Sequence, residues 1–424
     1  MLSRISGTAL FSIMGRYFFL IIAGFVYVAF DIYVYQSVKV LVVDYNTPTR
    51  RLIGLIYFTI SILLYVGIVL YRQLDPKQFH NLRLIITTTF FITLIGKLVA
   101  ALFLLVDDFR RVVSYFINFL PQKADDPVDT SRSEFLSKSA LIAGTLPVAV
   151  FGFGILSGAH DYRVRKRVIY SKNLPKAFDG IRIVQISDIH TGSFFNKTAV
   201  AGGVDLINQQ KGDIVFFTGD LVNNQSDEAK PYLDIFKSVK APMGVYSTMG
   251  NHDYGDYMQW GSEAAKAKDI QQLHEMHRYM GWDIMLNENR IIKEGGEQLA
   301  ILGLENWGAG RFSKYGDMSK TYAGTEESPF KILLSHDPSH WDAQVRPDYP
   351  DVDLMLAGHT HGMQFGIEIG DFRWSPSQYM YKQWADLYQE GEQYLYVNRG
   401  FGYLGYPGRV GILPEITVLE LKHV

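Results

Sequence analysis

The spacing of apolar residues changes character near residue 160. Before it they run in long unbroken stretches; after it they come in short bursts separated by Gly-, Asn- and Asp-bearing segments. Four early stretches predict membrane-spanning helices, at about 17–40, 52–71, 84–106 and 139–159. Leu52 to Tyr71 contains no charge and is bracketed by Arg50, Arg51 and Arg72; at about 1.5 Å per residue it crosses a hydrocarbon core of roughly 30 Å. Leu84 to Val106 carries one charge, Lys97, and Ser139 to Ala159 is uncharged, rich in Gly and Ala, with Pro147 inside. The first stretch is less regular: Asp31 interrupts Tyr17 to Phe30, and Ile32 to Val43 resumes with Lys39. Soluble core helices rarely stay apolar all round for such lengths, so residues 1–159 read as a transmembrane region. Lys97 reads as a snorkelling or bundle-facing lysine rather than an intramembrane functional charge.

From residue 160 to 424 the period shortens to that of strands. Ile181–Ser187, Asp213–Thr218, Gly244–Met249, Gln298–Leu304, Phe330–Ser335, Val352–Ala357, Gln393–Asn398 and Glu415–Leu421 are predicted strands. Thr198–Gln210, Asp227–Val239 and Glu263–Met280 are predicted helices. Strands alternating with helices predict an α/β sheet, a fold that gathers ligands beyond the carboxyl ends of its strands.

Composition adds exclusions. Hydrophobic residues make up 48%, charged residues 20%, and 41 Lys+Arg face 43 Asp+Glu for a net charge of −2. Such a chain is neither disordered nor a basic nucleic-acid binder. It has no Cys, so any metal must be held by His, Asp, Glu and Asn. Charge does not orient the membrane region: Arg4, Arg16, Arg72, Lys77, Arg83, Arg163, Arg165, Lys166 and Arg167 fall on one side, against Lys39, Arg50, Arg51, Arg110, Arg111, Lys123, Arg132 and Lys138 on the other. Ser131-Arg132-Ser133-Glu134-Phe135-Leu136 is similar to a twin-arginine export signal but lacks one arginine.

The residues with chemistry to offer cluster at the carboxyl ends of the predicted strands. Ile181–Ser187 ends in Asp188-Ile189-His190, Asp213–Thr218 in Gly219-Asp220, and Gly244–Met249 in Gly250-Asn251-His252-Asp253. Phe330–Ser335 runs into His336, and Val352–Ala357 into Gly358-His359-Thr360-His361. Alternate residues of an extended segment point the same way, so Asp188 with His190, and His359 with His361, can each serve one cavity. Two divalent cations about 3.5–4 Å apart need a bridging carboxylate with imidazole, amide and carboxylate partners, and this inventory supplies them. Each piece alone is an ordinary turn; five in order, each at a strand end, are not.

This ordered set resembles the calcineurin-like metallophosphoesterases, over about residues 178 to 424. Asn173-Leu174-Pro175, Phe178-Asp179-Gly180 and Arg399-Gly400-Phe401-Gly402 make the chain more similar to their membrane-anchored bacterial branch. The resemblance implies an αββα fold, a β-sandwich flanked by helices, behind about four transmembrane helices. It implies one metal at Asp188, His190, Asp220 and His361, and a second at Asp220, Asn251, His336 and His359, with Asp220 bridging. The ions would be Mn²⁺, Fe²⁺ or Zn²⁺, the nucleophile a metal-bridging hydroxide, and His252 the residue aimed at the substrate. Asp253 reads as orienting His252 or its loop, and Arg399 and Arg409 as contacts for an anionic substrate or structural arginines in a turn. His274 and His277 read as a solvated helix face.

The expected activity is hydrolysis of a phosphate ester or pyrophosphate on a lipid-linked or membrane-surface substrate. Expected partners are that substrate and membrane lipids, with no nucleic-acid polymer and no protein; the expected location is a bacterial inner membrane. Two alternatives stay open. One is a UDP-2,3-diacylglucosamine pyrophosphatase of lipid A synthesis; the other is a non-catalytic membrane sensor or binding protein. Tyr254, Tyr257, Met258 and Trp260, and later Trp374, Tyr379 and Met380, are apolar and aromatic residues set to cap the site or to pack on the domain.

Overall fold

The computed structural model describes residues 7–75, 79–118, 130–370 and 372–424. Arg4, Lys77 and Lys123 lie outside them, as do the side chains of Arg16, Arg72, His80 and Arg132. The chain forms two compact units, residues 1–152 and 153–424.

The first unit is built on four helices: α1 (Gly7–Leu41), α2 (Thr47–Leu70), α3 (His80–Asn118) and α4 (Thr130–Leu156). All four are long and apolar enough to cross a membrane. Asn46 caps α2, its side chain accepting the Thr49 amide, and Pro48 sits in the first turn, where its missing N–H costs nothing. Asp31 does not break α1. Its carboxylate is buried and ion-paired to Lys97 Nζ at 2.6 Å. Ser61 donates to the same carboxylate, as does Tyr57 at 3.3 Å, while Lys97 also donates to Tyr27 at 3.0 Å. One cluster therefore joins α1, α2 and α3, and Lys97 is a bundle-facing lysine. Gly96 and Gly144 let α3 and α4 approach until a methyl group on either would strike the other's carbonyl.

The second unit contains fourteen strands among the described residues. They are β1 (Arg163–Ser171), β2 (Arg182–Ile186), β3 (Ile214–Thr218), β4 (Val245–Thr248), β5 (Asp283–Ile284), β6 (Glu288–Glu294) and β7 (Glu297–Gly303). The remainder are β8 (Lys331–Leu334), β9 (Leu354–Ala357), β10 (Ile367–Ile369), β11 (Phe372–Trp374), β12 (Asp386–Glu390), β13 (Gln393–Val397) and β14 (Glu415–His423). One six-stranded sheet has the order β1-β14-β2-β3-β4-β5, the other β12-β13-β9-β8-β7-β6, and β10-β11 form a separate hairpin.

Ile183, Phe216, Ile301, Ile332, Leu354 and Leu419 from both sheets share one buried core between them. The outer face of the first sheet packs Val184, Val215 and Phe217 against α5 (Lys197–Gln209), the short α6 (Leu233–Phe236) and α7 (Glu263–Met280). The outer face of the second sheet packs Leu302, Leu333 and Met355 against Trp341 and Val345. The result is the expected αββα sandwich.

The eight predicted strands all form. Those not foreseen, β1, β5, β6, β10, β11 and β12, are mostly edge or half-exposed strands without a continuous apolar run. Asp227–Val239 is not one helix. It is two tight turns, at Ser226–Glu228 and Lys230–Tyr232, leading into α6; Pro231 has no N–H for a continuous ladder.

Candidate metal centre

Parallel strands β2, β3 and β4 of one sheet and β8 and β9 of the other end at the same rim of the sandwich. Each C-terminal end delivers one motif: Asp188 and His190 after β2, Asp220 after β3, Asn251 and His252 after β4, His336 after β8, and His359 and His361 after β9. The chain turns so sharply there that Asp188, His190, Asp220, His359 and His361 all take positive φ, between 50° and 70°. For residues with a Cβ such backbone costs on the order of 1–3 kcal/mol each. Two glycines keep the rim tight: a methyl on Gly219 would strike the Gly250 amide, and one on Gly358 the Asp188 carboxylate.

Two groups of ligand atoms result, Asp188, His190 and His361 in one and Asp220, His336 and His359 in the other. Asp188 Oδ1 lies 3.2 Å from His361 Nε2, and His190 Nε2 lies 3.0 Å from His361 Nε2. In the second group His336 Nε2 lies 3.1 Å from Asp220 Oδ2 and 3.3 Å from His359 Nδ1. Asp220 stands between the groups, its Oδ2 also 3.5 Å from His190 Nε2. The imidazoles are aimed from behind. His336 Nδ1 donates to the Thr218 carbonyl at 2.7 Å, leaving Nε2 for the centre, and the Tyr381 hydroxyl meets His359 Nε2 at 2.8 Å.

The donor set fits a pair of divalent cations. Asn251 gives its amide N–H to Tyr257 at 2.7 Å, while its buried Oδ1 has no hydrogen-bond partner among the described residues. Imidazole nitrogens meet in pairs at 3.0 and 3.3 Å, spacings at which two lone pairs repel unless a proton or a cation lies between them. Burial pushes the Asp188 and Asp220 carboxyls up, but the imidazoles of His361 and His336 outweigh it and hold both below the usual range. Burial, with the neighbouring imidazoles of His361 and His252, outweighs the nearby carboxylates and drives His190 down to about 3, favouring the neutral ring that ligates metals.

His252 stands apart from both groups. Its Nδ1 donates to the Asn223 carbonyl at 2.7 Å, its amide donates to Asp220 Oδ1 at 2.9 Å, and its ring meets that of His190 edge-on at 5.0 Å. Asp253 does not touch the His252 ring. Its buried carboxylate accepts the amides of Asp220, Leu221, Val222 and Gly250 at 2.8–3.2 Å, and so clamps the Asp220 loop. Burial beside Asp220 nonetheless pushes its carboxyl up to about 7.

Both arginines are buried. Arg399 is buried and paired with Glu415 at 2.6 Å and Glu368 at 2.7 Å. Arg409 is buried behind His361, with Nη2 3.2 Å from its Nδ1 and other donors on the carbonyls of Gly400, Gly402 and Ile412. His277 is also buried rather than solvated, its Nδ1 2.9 Å from Ser247 Oγ, because the helix face it occupies packs on β4.

Comparison with known proteins decides the family. The description "Calcineurin-like phosphoesterase" matches residues 181–363, and "Probable Calcineurin-like phosphoesterase, transmembrane domain" matches residues 15–159. The chain is 31% identical over 300 residues to the uncharacterized metallophosphoesterase YkuE of Bacillus subtilis, an alignment covering 69% of this chain and 98% of that protein. The chain belongs to the calcineurin-like metallophosphoesterases. It is also 30% identical over 290 residues to a zebrafish (Danio rerio) transmembrane protein with metallophosphoesterase domain, covering 67% of this chain and 63% of that protein. This metallophosphoesterase is thus a metal-dependent phosphoric ester hydrolase in a multi-pass membrane chain.

Three residues of the centre had no motif to announce them. Tyr381 and Asn223 carry no pattern of their own and reach the site only through the fold. Asp337, buried with Oδ2 3.8 Å from His359 Nε2, comes directly after the motif residue His336, the one signal that marks it.

Proposed function

We propose that this metallophosphoesterase hydrolyses a phosphate ester or pyrophosphate bond of a lipid-linked or membrane-surface substrate, using two divalent ions. Asp188, His190, Asp220 and His361 would hold one ion, and Asp220, Asn251, His336 and His359 the other. When bound, such a pair supplies Lewis acidity toward phosphoryl oxygens and a nucleophile drawn from water. The rest falls to the protein. Asp253 fixes the backbone of the Asp220 loop, Tyr257 turns the Asn251 oxygen inward, and Tyr381 sets the His359 ring. With Nδ1 donating to Asn223, His252 keeps Nε2 for proton exchange with the leaving oxygen. The carrying observation is the convergence of ligand atoms from four separate strand ends into two adjoining groups, with Asp220 within 3.5 Å of His190 in one and 3.1 Å of His336 in the other.

A membrane-surface substrate is supported by the four spans, which restrict the enzyme to the bilayer. The purified full-length protein should hydrolyse a chromogenic phosphodiester with Mn²⁺, and a panel of phospholipids, lipid A intermediates and nucleotides in detergent should show preference for an amphiphile. Asp220→Ala should lose both turnover and bound metal by elemental analysis. Wild-type metal content and turnover in that variant would reject the proposal.

A further inference from the structure

The segment that leaves the metal centre at His361 and returns to it at Tyr381 carries β10 and β11, paired with Glu368 opposite Arg373 and Ile369 opposite Phe372. Alternation along the strands places Glu368 and Arg373 on one face and Ile367, Ile369, Phe372 and Trp374 on the other. The polar face is turned to the protein: Glu368 bonds Arg399 at 2.7 Å and also Arg165, and Arg373 bonds Asp386 at 3.0 Å. The apolar face is turned away. Ile369 is 73% exposed and Phe372 61%, and Tyr379 at 75% and Met380 at 68% extend the patch. A hairpin facing only water would be reversed, and a contiguous apolar patch of this kind marks a docking surface.

Its occupant is indicated by where the hairpin is tied. Arg165 lies in β1, five residues beyond His160, where the last candidate span ends; that is at most about 18 Å of extended chain. Lys166 of the same strand is exposed, as are Arg163 and Arg167, which pair with Asp161 and Asp386; together they make a cationic strand suited to anionic headgroups. Apolar side chains beside exposed cations, within reach of a bilayer, match an interfacial anchor.

We propose that the β10–β11 hairpin seats Ile369, Phe372, Tyr379 and Met380 in the leaflet into which the last span leads, with β1 against its headgroups. The metal centre then opens at the lipid surface. This rests on the membrane-substrate reading above and deepens it: the substrate is an amphiphile whose acyl chains stay in the leaflet while its phosphate reaches the ions.

The absence of Cys makes the test direct. Ile369→Cys and Phe372→Cys, each labelled with bimane, are placed as full-length protein in nanodiscs of equal parts phosphatidylcholine and phosphatidylglycerol. Lys293→Cys, exposed near the end of β6, is the reference. Nitroxide-bearing lipids should quench positions 369 and 372, and aqueous iodide should quench them about tenfold less than position 293. Iodide quenching equal to the reference overturns the proposal, as does shielding from both quenchers, which would mean a protein partner or a second copy. Either result stands whatever the enzyme hydrolyses, whereas failure to cleave any phosphate ester would sink the functional reading and leave the quenching untouched.

Discussion

Two buried charge clusters in this chain are built on opposite principles. In the membrane unit, Asp31 meets Lys97 at 2.6 Å, and Tyr27, Tyr57 and Ser61 take up the remaining hydrogen bonds. That cluster completes itself, one cation to one anion. In the second unit, Asp188 and Asp220 face four imidazoles and an amide oxygen that has no partner among the described residues. Its nitrogens crowd one another at 3.0 and 3.3 Å, spacings that call for a proton or a cation between them. Burial of charge is common to both; what separates a structural cluster from a site is whether its donors and acceptors balance without a guest.

The largest effect that sharpens this contrast is expected at His252. Ala at this position should lower turnover about 10²–10⁴-fold, the range for a positioned proton donor, with bound metal unchanged by elemental analysis. Metal loss would instead make His252 part of what holds the guest.

In the membrane unit, Lys97→Met leaves Asp31 buried and unpaired, which should cost about 3–5 kcal/mol. The loss should appear as a lower thermal midpoint in detergent, largely recovered in the Asp31→Leu/Lys97→Met double variant. A single variant as stable as the wild type would show that the pair does not bind the helices together.

Next come two histidines buried away from the metal centre. Burial holds His277 down to about 3 and His340 to about 4, each neutral against a serine hydroxyl, Ser247 or Ser335. Their folded values lie below the unfolded value of 6.5, so the unfolded chain takes up protons first. Stability is full above about pH 6.5 and falls toward pH 4 by about 1.4 kcal/mol per pH unit for each ring. Hydrogen exchange of β4 and β8 amides should quicken over that window, and flat exchange would contradict it.

The smallest effect is expected for Tyr257→Phe. It removes the hydroxyl that accepts from Asn251, worth about 1 kcal/mol, and should weaken metal binding about fivefold in a competition titration. An unchanged affinity would mean that the Asn251 amide is oriented by the backbone alone.

The sequence by itself determined the membrane helices, the eight apolar strands and the motifs at their ends. Those depend on local properties: long uncharged runs have no other stable home than a bilayer, and motif residues come directly after strands whose apolar runs announce them. Edge strands such as β1 and β12 gave no such signal, because half-exposed strands mix polar and apolar positions. Only the tertiary structure decided that Asp31, Ser61 and Lys97 meet, since side chains on three helices become neighbours only once the bundle packs. It likewise decided that Arg399 is buried against Glu415 and Glu368 and Arg409 behind His361, and that Asp253 clamps the Asp220 loop. An isolated arginine or aspartate reads the same whether it faces water, a ligand or a row of backbone groups; which of these it meets is set by distant segments packed against it.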